Sequence, residues 1–168
     1  AMLPFYKAIA CNQRYAALWS KLVVKTDLAR LEKLLRLVAP LASKQGISSN
    51  GIGYFVSFPF PSPIDNYANG VTIPPGSVQF FFETRVHRSI ARSVLPFYLK
   101  LAKDNSYARD LAKAIRRGDT TVVKKLILPL VRTPALKSIT IEDSGVALLF
   151  DYPFSKYKYR NLLFRDVI

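Results

Sequence analysis

The sequence predicts an α+β fold: an internal duplication of an ααββ unit with approximate twofold symmetry, its antiparallel strands packed against helices. Three observations lead there. The tetrapeptide Leu3-Pro4-Phe5-Tyr6 recurs as Leu95-Pro96-Phe97-Tyr98. Apolar residues follow each copy at helical spacing. Each helical stretch then gives way to a segment rich in β-formers and turn residues. An ungapped shift of 92 positions sets residues 3–58 against 95–150, and 14 of the 56 pairs are identical, among them Tyr15/Tyr107, Lys21/Lys113, Asp27/Asp119, Lys33/Lys125 and Gly53/Gly145. Beyond that the best register changes to 82, with Gln79–Thr84 against Asn161–Asp166, which predicts a shorter loop in the second copy. Two copies are too few for a solenoid, which needs three or more. The predicted organisation is a first repeat over 1–84 (helix, helix, strand, long loop, strand), a connecting helix over 85–94 and a second repeat over 95–168, together one pseudo-symmetric domain.

Residues 4–24 place Phe5, Ile9, Tyr15, Ala16, Trp19 and Val23 on one face, and Pro4 suits a first helical position, so one amphipathic helix is expected. Asp27 precedes the stripe Leu28, Leu31, Leu34, Leu35, and Asp119 precedes Thr120–Leu130; an aspartate in that place reads as a helix cap. Tyr54–Phe58 reads as a strand starting near Ile52, with Ser77–Thr84 as its partner and a Pro/Asn/Gly-rich loop over 59–76 between them. A loop of that length is functional or mobile. Residues 86–95 predict a short helix with Arg85, Arg88 and Arg92 in a stripe, and Pro96 predicts a new helix start, by analogy with Pro4. The chain then continues as helix to Arg116-Arg117-Gly118. Ser138–Ile141 and Val146–Phe150 form a hairpin about Glu142-Asp143-Ser144-Gly145, and the last strand takes in Lys156-Tyr157-Lys158-Tyr159-Arg160, its basic residues on one face and tyrosines on the other.

Half of the 168 residues are apolar, ample for one core, and the single cysteine, Cys11, excludes an intramolecular disulfide and a thiol zinc cluster. No run approaches the length of a spanning helix, and the start lacks the order of a signal peptide, so an intracellular location is expected. The net charge of +14 is uneven. Residues 1–44 carry eight Lys/Arg against two acids, 45–84 none against two, 85–137 thirteen against three, and 138–168 four against four. Charge of this sign speaks of anionic partners.

Enzyme chemistry has little to stand on. His87 is the only histidine, no metal-ligand cluster or phosphate loop is present, and Asp65, Tyr67 and Glu83 are acid-base candidates that nothing in the sequence brings together. No catalytic residue, metal or cofactor is therefore expected. The reading that fits is a non-catalytic basic module binding a polyanion, DNA or RNA above all, through phosphate contacts from Arg85, Arg88, Arg92, Lys113, Arg116, Arg117, Lys124 and Lys125, with Lys156, Lys158 and Arg160 as a second patch. The alternative is a peripheral membrane or assembly protein that meets an anionic surface or a protein partner, with Phe58, Phe60 and Tyr67 as loop anchors. An enzyme of unknown class is the third reading.

Overall fold

Asn12 divides the first apolar stripe into two helices. In the computed structural model, which describes residues 1–63 and 66–166, α1 is Leu3–Cys11 and α2 is Gln13–Val24. Asn12 is extended, and its side-chain oxygen accepts from the Tyr15 amide at 3.0 Å, so one residue ends the first helix and caps the second. Helix α3, Leu28–Val38, starts at Asp27, whose carboxylate accepts from the Arg30 amide at 3.1 Å. A 3-10 turn at Ala42–Lys44 leads into β1, Gly46–Ser49, then β2, Gly53–Pro59, and β3, Asn66–Thr72.

Helix α4 then runs unbroken from Thr84 to Lys103 with Pro96 inside it, where the sequence predicts two helices. Interior proline costs about 3 kcal/mol. Val94, Phe97 and Tyr98 are buried around it, each contributing about 1.5–3 kcal/mol, while Pro96 itself faces out, so packing outweighs the lost hydrogen bond. Asp104 caps α5, Asn105–Arg116, by accepting from the Tyr107 amide, and Asp119 caps α6, Thr120–Ile127, by accepting from Val122. Then come β4, Leu136–Glu142, β5, Gly145–Phe150, and β6, Tyr159–Asp166. The β4–β5 hairpin turns through Asp143 and Ser144, both at positive φ, the geometry of a two-residue hairpin.

Among the described residues six strands form one antiparallel sheet in the order β1-β2-β3-β6-β5-β4, joined by six α-helices, so the fold is α+β. Each half holds three helices and three strands, more than the ααββ unit the sequence predicts. The predicted strand over 77–84 does not form. Phe80 sits at φ 51° and is exposed, Phe81 is half-buried on Tyr157, and Phe82 is buried against Tyr54, Tyr159 and His87, so the turn at Phe80 delivers Phe82 to the core on the way into α4. The partner of β2 instead comes from within the predicted loop. β3 lies at the centre of the sheet, paired with β2 on one side and β6 on the other. The Asn and Gly that read as loop residues are demanded by this position. A Cβ on Gly70 would stand 1.9 Å from the Tyr54 carbonyl oxygen.

Asn69 and Asn161 anchor α1 and α4 to the sheet. Tyr6 and Tyr98 stack at 5.0 Å with rings 10° apart. The Tyr6 hydroxyl donates to Asn69 Oδ1 (2.7 Å), Asn69 Nδ2 donates to the Tyr98 hydroxyl (2.8 Å), that hydroxyl donates to Asn161 Oδ1 (2.6 Å), and Asn161 Nδ2 donates to the Tyr6 hydroxyl (3.1 Å). The second proton of each amide goes to a strand carbonyl, Leu162 from Asn69 and Gly70 from Asn161. The closed ring leaves no side-chain polar atom of the four unpaired, as burial requires. Desolvation raises the pKa of both phenols, Tyr98 to about 12, so the ring stays neutral.

Candidate functional site

Beyond that ring the helix layer is not packed equally on its two sides. On one side α1 and α2 close over an aromatic core in which Trp19, Phe5, Tyr54, Phe82 and His87 make edge and tilted contacts at 4.5–6.1 Å. On the other side a cleft of about 740 Å³ opens between α4, α5 and the sheet. Leu101 and Ala102 come from α4, Leu111 and Ile115 from α5, Val146 from β5 and Leu163 from β6. Its volume suits a drug-sized ligand or a few large side chains. Phe58, Phe60 and Tyr67 form its outer wall, with the Phe60 and Tyr67 rings 5.5 Å apart, and the Tyr67 hydroxyl donates to the Ser144 carbonyl at 3.1 Å. Arg116 stands at the mouth. Arg165 reaches across to the Pro63 carbonyl from the sheet side.

The three aromatic residues predicted as loop anchors are therefore brought together, with Phe58 and Tyr67 on paired strands. Arg116, predicted for another role, joins them. Leu101, Leu111 and Val146 were legible only as core residues. The available signal was a volume difference in the aligned halves, where Trp19 stands against Leu111 and Tyr54 against Val146.

The predicted cationic residues divide into three groups. Lys113, Arg116 and Arg117 on or at the end of α5 and Lys124 and Lys125 on α6 are exposed, and none has an ion-pair partner among the described residues. Arg92 is exposed likewise. Two arginines of the stripe are engaged by the fold: Arg85 lies 3.8 Å above the Phe154 ring, and Arg88 donates to the Ile9 and Ala10 carbonyls and to Gln13, closing the end of α1. Lys156 and Lys158 precede β6, so the alternating basic strand face does not form. Ser155, whose hydroxyl bonds Glu83 and the Tyr157 backbone, holds this segment as a turn. Arg160 does lie in the strand and pairs with Glu142 of β4.

Of the acid-base candidates, Tyr67 is on the cleft wall, Glu83 is bonded to Ser155, and Asp65 lies outside the described residues. His87 is fully buried, its Nε2 2.7 Å from the Tyr54 hydroxyl, and desolvation lowers its pKa to about 3. It is a neutral core residue at physiological pH. No group of three His, Cys, Asp or Glu that could hold a metal occurs among the described residues, and no described helix is long and apolar enough to cross a membrane. Compared with known proteins, the chain matches no family model, no curated protein and no solved structure.

Proposed function

We propose that the protein is a non-catalytic binding module for a polyanion, nucleic acid in the first place, held through phosphate contacts from the helix layer. The observation that carries this reading is the α5–α6 surface. Lys113, Arg116, Arg117, Lys124 and Lys125 are all exposed there, and Asp110 and Asp119 are the exposed acids of the two helices and their caps. Exposed, unpaired cations on rigid helices suit phosphate contacts, which give affinity without sequence readout. The test is affinity for a random-sequence duplex and a single strand across a salt series. The log-log slope should be about −0.7 to −0.9 per phosphate neutralised, and the Lys124→Gln/Lys125→Gln double variant should flatten it by up to about two units. An affinity indifferent to salt overturns the reading.

We also propose that the chain arose by duplication of one unit with an approximate twofold axis between β3 and β6. Supporting it, the 92-residue offset relates α2 to α5, β1 to β4, Tyr6 to Tyr98 and Asn69 to Asn161. It also relates the bonds from the Tyr15 and Tyr107 hydroxyls to the Leu34 and Leu126 carbonyls. The runner-up function, docking of a protein partner, is favoured by one observation, the convergence of Phe58, Phe60 and Tyr67 on the apolar cleft.

A further inference from the structure

Phe82 and Glu83 and the first turns of α4 that follow them rest in a seat made by Ile9, Ala10, Trp19, Tyr54 and Tyr159. Arg88 donates to the Ile9 and Ala10 carbonyls at 3.2 and 3.0 Å. His87 meets Tyr54, the Tyr159 hydroxyl accepts from the Glu83 amide at 2.8 Å, and Phe82 touches both tyrosine rings. Trp19 closes the floor beneath Tyr54 at 5.1 Å. The residues related to this seat by the 92-residue offset are Leu101, Ala102, Leu111, Val146 and Tyr67, and all five line the cleft. The seat that holds a helix on one side of the sheet is thus a cleft on the other, closed at one end by Ala1 and Met2, which stand where Ser93 and Val94 stand in α4.

We propose that the cleft is the docking groove for an amphipathic α-helix supplied by a protein partner. The inference rests on the duplication reading and on the partner-docking reading of the same cleft. The helix already seated in the equivalent place specifies the occupant's chemistry. An aromatic residue enters first, as Phe82 does; apolar residues follow four and eight positions on, as Val86 and Ile90 do, both fully buried; and an arginine six positions after the aromatic one, as at Arg88, reaches two carbonyls at the end of the underlying helix. Two differences between the seats adjust this pattern. Leu111 and Val146 replace Trp19 and Tyr54, so the groove is deeper and takes larger side chains than His87 at its floor. Arg116 replaces Val24 at the edge, so an acidic residue on the occupant's flank is favoured.

The probe is a fluorescently labelled peptide of residues 79–92 of this chain with His87 replaced by Trp and Arg92 by Glu, ending before the positions that Ala1 and Met2 fill, titrated with the full-length protein and read by anisotropy and by amide shifts of Ala108, Ala112 and Gly145. Saturable binding with shifts confined to the groove is expected. Phe60→Ala, at an exposed position, should weaken it about tenfold. The Leu111→Trp protein fills the floor as Trp19 does on the other side, and should abolish binding while the variant-minus-parent spectrum, which removes the emission of the buried Trp19, shows the introduced indole blue-shifted as a buried ring. If that indole is exposed or the protein is destabilised, the two seats are not equivalent, and the duplication reading falls with the inference. If the indole is buried and the parent still ignores the peptide, the duplication stands and the docking proposal fails. Dodecanoate shifting the same amides while the peptide does not would make the groove a lipid site and equally overturn the proposal.

Discussion

Asn161→Ala tests how the sheet centre is held. The side chain donates to the Tyr6 hydroxyl and the Gly70 carbonyl and accepts from the Tyr98 hydroxyl, and all of these groups are buried. A typical hydrogen bond contributes about 1 kcal/mol net, while a buried donor or acceptor left without a partner costs about 1–3 kcal/mol. The Tyr98 hydroxyl keeps the bond it accepts from Asn69 but loses the one it donates. Lost bonds and that stranded hydroxyl place the cost at about 3–5 kcal/mol, a large part of the stability of a domain of this size. Asn69→Ala removes the matching set, with Tyr6 as the stranded donor and Leu162 as the carbonyl, and should cost about the same. Because the four side chains form one ring, the second substitution acts on a ring already broken. The double variant should be less destabilised than the sum of the singles by about 1–2 kcal/mol. Urea unfolding with an unchanged m-value gives these numbers. Singles within 1 kcal/mol of the parent, or strict additivity, would refute the claim that the ring is a cooperative unit.

Two further predictions concern other parts of the fold. His87 has a pKa near 3 when folded and about 6.5 when unfolded, so the unfolded chain takes up a proton first as pH falls; the stability it confers is complete above pH 6.5 and is lost progressively towards pH 3. Between pH 6.5 and 4 the parent should lose about 3 kcal/mol more than His87→Gln, measured by paired denaturation curves, and parallel pH profiles would contradict the buried neutral state. Asp27→Ala and Asp119→Ala should each cost about 0.5–2 kcal/mol through loss of a cap while leaving polyanion affinity unchanged, and a stably folded variant that no longer binds would make the aspartate part of a site.

The sequence by itself determined where α3 and α6 begin and which faces of the helices are apolar, but not the break at Asn12 or the continuity of α4 through Pro96. Asp27, Asp119 and the apolar stripes act through neighbours three and four residues away, and that range is visible in a linear reading. The β4–β5 hairpin was legible for the same reason. Tertiary structure decided what depends on distant partners. Asn69 and Gly70 have loop composition but belong to the central strand, because the amide is satisfied by Tyr6, Tyr98 and Leu162 and the glycine lets a neighbouring carbonyl approach. Phe80–Phe82 have strand composition, but Phe80 turns outward at positive φ while Phe81 and Phe82 fill the space beside Tyr157, Tyr159 and His87, since burial rewards apolar side chains whatever the backbone does. Pro96 stays inside a helix because buried neighbours on both sides outweigh its local cost. The cleft divides the same way. Its aromatic wall was singled out as exposed loop residues, but its floor is a difference in side-chain volume at Leu111 and Val146 relative to Trp19 and Tyr54, and missing volume becomes a groove only when helix and sheet set the walls around it.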